Sequence, residues 1–189
     1  MILEGLVTTL DAAGRVNMAP IGPQVEAAME RFWLRLFPTS QTWRNLEAQR
    51  EGVLHITDDV LLLARAAVGP VEPLPPLFPA KKVHGAVLND ACRYFEFRIK
   101  GMDEGEERIR LEAEVVHAGR LRDFFGFNRA KAAVVEAAIL ATRLHLLSPH
   151  AILADLARLA VLVEKTGGRS ERSAFALLEA YVRQGPEKQ

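Results

Sequence analysis

Apolar and polar positions change their rhythm about two thirds of the way along the chain. Ile2 to Leu10 is a run of β-branched and aliphatic residues, Asp11-Ala-Ala-Gly14 follows as a turn, and Arg15 to Pro20 resumes an extended pattern. Asp at the start of a tight turn and Gly at its end favour a hairpin. Pro20 and Pro23 cannot donate ladder hydrogen bonds, so the second strand should end at an edge or a bulge. Glu30 to Phe37, with Phe32, Trp33, Leu34 and Leu36, predicts a third strand, and Val53 to Thr57 another. Between them Ser and Thr residues precede a run anchored by Leu46, the signature of a helix start. Asp58 or Asp59 can cap a short helix over Val60 to Ala67.

Gly69 to Ala80 carries five of the ten prolines and predicts an extended surface connection without regular structure. Cys92 to Lys100 then alternates, with Phe95, Phe97 and Ile99 on one face and Glu96, Arg98 and Lys100 on the other. Ile109 to Val116 alternates likewise, and Gly101 to Glu107 should join the two as a hairpin. From Asn128 the spacing becomes helical. Asn128 to Leu147 is Ala-rich, Ser148-Pro149 offers a cap and a first-turn proline, and Gly167-Gly168 closes that second helix. Ser170 can cap a third, ended by Gly185-Pro186, with Pro186 to Gln189 expected to fray. The pattern therefore describes a mainly β region followed by a module of three helices.

Composition narrows the function classes. The chain has 189 residues, 49% hydrophobic and 25% charged, with Lys+Arg 24 against Asp+Glu 24. Such a chain folds, and its balanced charge supplies no general attraction to nucleic acid or anionic membrane. Lys81-Lys82 and Arg120 to Arg122 are too sparse for a nucleic-acid face. No run approaches the roughly 18 apolar residues of a membrane span. The opening Met1 to Thr9 lacks a basic start and is interrupted by Glu4, unlike a signal peptide, so a cytoplasmic protein is expected.

Candidate chemistry is thin. The single cysteine, Cys92, excludes an intrachain disulfide, and Arg93 beside it is a weak argument for a reactive thiol. His55, His84, His117, His145 and His150 have no metal-ligand spacing, so no metal is expected. Neither a GxSxG elbow nor a glycine-rich phosphate loop is present. What stands out is Thr39-Ser-Gln-Thr-Trp-Arg-Asn45, where hydroxyls, an amide and a guanidinium gather at a helix start. The N–H groups there attract an anion and these side chains add donors, although Ser and Thr also cap helices that bind nothing.

Those residues resemble a known family. Glu4 to Pro23 is similar to the first hairpin of the FMN-binding split-barrel proteins, the fold of flavin reductases and pyridoxamine-phosphate oxidases, and Ser40 to Leu46 to the Thr- and Asn-bearing segment that follows it. Thr57 to Ala66 and Gly126 to Ala137 resemble an archaeal and bacterial branch with a C-terminal helical module. The resemblance implies a six-stranded split β-barrel over 1–124 followed by a three-helix module over 125–189. It also implies a homodimer with FMN at the subunit interface. Asn17, Met18, Ala19 and Pro20 would lie beside the flavin ring. Ser40, Thr42 and Asn45 would hold the phosphate and ribityl chain, with Arg44 assisting.

One departure from the family is Ser40-Gln41, where flavin reductases often carry Lys or Arg with Asp. Either FMN then binds weakly, or Arg31, Arg35 or an arginine of the partner subunit supplies the missing charge. The implied activity is a flavin-dependent oxidoreductase fed by a nicotinamide donor. The alternative is a non-catalytic protein that binds flavin or another heterocycle, such as F420 or a pterin. The helical module either extends the core or uses an apolar stripe as a partner surface or as a cover for the flavin pocket.

Overall fold

The computed structural model describes residues 1–105 and 107–185; the expected frayed end, Pro186 to Gln189, and Glu106 of the joining segment lie outside the described residues. The chain divides into two compact units, Met1–Thr57 with Glu72–Phe124, and Asp58–Val71 with the residues from Phe125 onward. The class is mixed: an antiparallel sheet curled into a half-barrel, with five helices.

In the first unit, β1 (Gly5–Leu10), β2 (Val16–Ile21), β3 (Gln24–Val25), β4 (Arg31–Leu36), β5 (Glu51–Ile56), β8 (Arg93–Asp103) and β9 (Ile109–Arg120) form one sheet in the order β2-β1-β5-β8-β9-β4-β3. The main sheet thus has seven strands where six were expected. The extra strand arises at Gly22-Pro23, where the proline interrupts the ladder. Beyond it, the bridge Ile2↔Gln24 continues without a slip the β1–β2 register that includes Gly5↔Ile21. Met1 and Leu3 bond to Val25 and Pro23, while β3 turns its other edge to β4. β2 and β3 are therefore two pieces of one bent run that meets β1 on one side and β4 on the other, which curls the sheet.

The core of this unit is lined by Val7, Phe32, Leu34, Leu54, Phe95, Phe97, Ile99 and Leu111. The face expected from the alternation of Phe95, Phe97 and Ile99 is the buried one. Phe32 and Phe97 meet edge to face at 5.1 Å. Two glycines make room for aromatic partners directly across the ladder. A Cβ at Gly119 would sit 2.2 Å from the Tyr94 ring, and one at Gly52 would sit 2.7 Å from Phe97.

The proline-rich stretch differs from expectation. It contains β6 (Leu77–Pro79), which pairs with β7 (Ala86–Leu88) as a small hairpin. Side chains on the other face of the large sheet hold this hairpin. Glu96, fully buried, accepts the backbone N–H groups of Lys81 (2.8 Å) and Lys82 (2.6 Å). Thr8 Oγ1 donates to the Ala86 carbonyl at 2.5 Å. His55, also fully buried, lies 3.1 Å from the Leu6 carbonyl through Nδ1 and accepts the Leu88 N–H at Nε2, also 3.1 Å. Both contacts are satisfied when the ring is neutral with its proton on Nδ1. Burial pushes the His55 pKa down to about 4, despite the carbonyl, which acts to raise it. At Glu51 burial acts upward, but the His84 N–H and Arg98 outweigh it and hold the carboxyl below its ordinary range.

The second unit holds four helices, one more than the module expected after residue 124: α2 (Val60–Val68), from mid-chain, joins α3 (Arg129–Ala141), α4 (Pro149–Thr166) and α5 (Arg169–Gln184). Leu63 and Ala64 of α2 share a core with Ala133, Val134 and Ala137 of α3, Ile152 and Leu156 of α4, and Phe175 and Leu178 of α5. Small residues along α3 let its neighbours approach closely. α3 stops at Ala141, earlier than the Ala-rich run suggested, and turns lead to Ser148, which caps α4 ahead of Pro149 as expected. α5 begins one turn position before Ser170, capped at Gly168 by Glu171, whose carboxylate accepts the Gly168 N–H at 2.9 Å. Asn128 caps α3 and reaches the Thr166 carbonyl at the end of α4, 3.0 Å away.

Candidate functional site

α1 (Gln41–Gln49) is the helix of the first unit, and its sequence gives it two faces. Trp43 and Leu46, three positions apart, plug the barrel core. Thr42 and Asn45, also three apart, turn towards β1 and β2. Ser40 is the N-cap: its hydroxyl accepts the Trp43 N–H (3.2 Å) and donates to the Phe37 carbonyl (2.8 Å). The expected cap is therefore present. Capping occupies one of the N–H groups at the helix start and leaves those of Gln41 and Thr42 without an intrahelical partner.

A ladder of amides and hydroxyls fixes this helix on the hairpin. Asn17 Nδ2 donates to Thr42 Oγ1 at 3.0 Å and, at 3.4 Å, to Thr9 Oγ1. Asn45 Nδ2 donates to the same Thr9 hydroxyl at 2.9 Å, and Gln41 Nε2 donates to Asn45 Oδ1 at 2.7 Å. Asn17, Thr42 and Asn45, named from sequence, are thus in one cluster. Thr9 was missed by sequence reasoning, and Gln41 was seen in the cluster without a role of its own. The clue to Thr9 lay in the turn, because a hairpin closed over Asp11–Gly14 puts residue 9 opposite residue 17.

Thr42 and Asn45 are each only 3% exposed, whereas Arg44 and Gln41 face solvent and Ser40 is half-buried. Among the described residues no side chain or carbonyl accepts a hydrogen bond from the Arg44 guanidinium. Arg31 is committed elsewhere, to Glu26 (3.2 Å) and Glu112 (3.6 Å). Strand alternation divides the remaining sequence candidates: Asn17 and Ala19 share one face of β2, and Met18 and Pro20 the other. Met18 is buried, while Ala19 and Pro20 are half-buried. Among the described residues no group of three or more His, Cys, Asp and Glu is placed to hold a metal ion, and no helix is long and apolar enough to cross a membrane.

A barrel of this kind, with a capped helix laid on its first hairpin and a helical unit following, defines a class of known folds. The chain is similar to an FMN-bound protein from Methanosarcina mazei, with 24% identity and a TM-score of 0.82 over 95% of this chain and 94% of that one. An FMN-binding protein from Thermus thermophilus, solved with bound 1-cyclohex-2-enone, matches at 15% identity and TM-score 0.55, over 63% of this chain and 70% of that one. The styrene monooxygenase flavin reductase of Pseudomonas putida S12 matches at 11% identity and TM-score 0.54, over 64% and 80% of the two chains. No curated protein matches.

Family models place the chain more narrowly. Residues 3–122 match the model described as protein of unknown function (DUF447) N-terminal domain, and residues 128–180 the companion DUF447 model. The chain belongs to the DUF447 family, to which the Methanosarcina mazei protein is also assigned.

Proposed function

We propose that this protein binds FMN and works as a flavin-dependent oxidoreductase of the flavin-reductase type. The observation that carries the reading is the near end-to-end fold match to an FMN-bound family member, in a chain whose own α1 start gathers donors suited to a phosphate. The residues fit the group. The backbone N–H groups of Gln41 and Thr42, the Ser40 hydroxyl and the Arg44 guanidinium are the anion donors, with the helix N-terminus adding its partial positive charge. Thr42 and Asn45 hold the helix start in place through Thr9 and Asn17, and would stand beside the phosphate and ribityl chain. β2 would supply the wall for the ring through the face that carries Asn17 and Ala19, with Met18 and Pro20 backing it from the other face.

When bound, FMN supplies hydride and electron transfer. The chain's own residues bind and orient it. Arg44 would neutralise the phosphate, and the buried amide ladder would hold α1 in place against it. Two copies with the flavin at their interface, a nicotinamide donor and a cytoplasmic setting belong to the same proposal.

Fluorescence titration of FMN tests the reading. Saturable quenching is expected, weakened roughly tenfold in Arg44→Ala, since a charge-assisted bond to phosphate is lost. Oxidation of NAD(P)H by the loaded protein would establish the reductase. Binding without oxidation would leave a non-catalytic flavin protein. No binding would end the flavin reading and leave another heterocycle to be sought.

A further inference from the structure

The far end of the first unit carries a hollow of about 360 Å³, framed by Ile56, Cys92, Phe124, Asp123 and three arginines, Arg93, Arg120 and Arg122. Ile56, Arg93 and Arg120 are direct partners across β5, β8 and β9 and so present their side chains on one face in a row. Arg93 and Arg120 are thereby two like charges directly opposite each other, an arrangement that destabilises a sheet unless something negative lies between or beside them.

The three guanidiniums differ in their partners. Arg120 pairs with Asp123. Arg122 donates Nε to Asp90 (2.9 Å to Oδ1, 3.1 Å to the carbonyl) and Nη1 to the Asp123 carbonyl (3.2 Å), which fixes the rim. Arg93 lies 5.5 Å over the Phe95 ring, and among the described residues no carboxylate or carbonyl accepts from it. Arg93, with no such acceptor, thus stands directly opposite Arg120 beside a concave space with an apolar wall.

We propose that this hollow binds a small organic oxyanion, a carboxylate or phosphate monoester with an apolar body. Arg93 and Arg120 clamp the oxyanion, the geometry for which planar guanidiniums are suited. Ile56 and Phe124 receive the apolar part. The volume lies within the range of small-molecule sites. The site is separate from the α1 cluster. On the β1–β5 register, Leu6↔His55 and Thr8↔Val53 put Ile56 level with Gly5, four residues along β1 from Thr9. That separation is about 13 Å along the strand. The inference stands whether or not FMN binds.

The test is calorimetric titration of the full chain with benzoate, phenyl phosphate, inorganic phosphate and neutral benzamide. Saturable binding of benzoate or phenyl phosphate is expected, with inorganic phosphate and benzamide at least about tenfold weaker. Arg93→Gln, an exposed position whose folding is checked by its melting curve, should weaken binding roughly tenfold or more, and Arg120→Gln likewise. Thr42→Ala with Asn45→Ala should leave it unchanged, which separates this site from the flavin reading. No saturable binding, or binding indifferent to both arginine variants, would overturn the proposal. So would binding that FMN displaces and that the Thr42/Asn45 variant abolishes, since the anion would then occupy the flavin site.

Discussion

His55 shows how one side chain commits the protein to a pH range. Both ring nitrogens are engaged only in the neutral form, and the folded pKa of about 4 lies below the ordinary 6.5. Between those values the unfolded chain takes up a proton that the folded chain refuses. The contribution is therefore fully present above about pH 6.5 and is lost as pH falls towards 4, by up to about 3 kcal/mol. Chemical denaturation at pH 7 and pH 5 should show this loss, and His55→Gln should remove most of the slope in that interval. A slope unchanged in the variant would mean that other groups cause it. Thr9 makes a second residue-scale case, because its hydroxyl accepts from both Asn17 and Asn45 inside the protein. Thr9→Val leaves those amides short of an acceptor and should cost about 1–3 kcal/mol, while Thr9→Ser should cost clearly less. Equal melting temperatures for the two variants would contradict the ladder.

At the scale of elements, the cross-strand glycines carry a direct consequence. Gly119→Ala forces a methyl into the Tyr94 ring, so the β8–β9 ladder or the ring must move, at a cost of about 1–3 kcal/mol in unfolding free energy. An unchanged melting curve would mean that Tyr94 swings aside freely. The same scale explains what the sequence made legible. β4, β5, the β8–β9 hairpin and the cap residues Ser40, Asp59 and Ser148 all follow from local signals, alternation or capping chemistry. Alternation put Glu96 on the face opposite Phe95 and Phe97, but it records which face a residue is on and not what covers that face. Its cover, the β6–β7 hairpin, lies in the proline-rich stretch, whose local chemistry argued against pairing. The β8–β9 strands also run past their expected ends: Gly101 and Asp103 read as joining residues yet pair with Glu112 and Arg110.

At the scale of the whole molecule, the units are not simple successive blocks of sequence. α2 lies between two strands of the first unit in sequence and packs with α3 and α5 in the second. A cut at 124/125 therefore separates it from the helices it packs with. Local patterns predicted the helix but not its partners, since Leu61 to Leu63 would suit either core. The candidate site was similarly half-legible. Hydroxyls and amides near Ser40 to Asn45 were visible as a cluster, whereas their reliance on Thr9 and the division of β2 between its two faces required the fold.

Visible absorbance of the purified protein reports whether the start of α1 holds FMN. After incubation with FMN and removal of the excess by gel filtration, the account expects flavin bands that travel with the protein and are strongly reduced in Arg44→Ala at the same melting temperature. A protein peak without flavin colour, even after incubation at high FMN concentration, would contradict it.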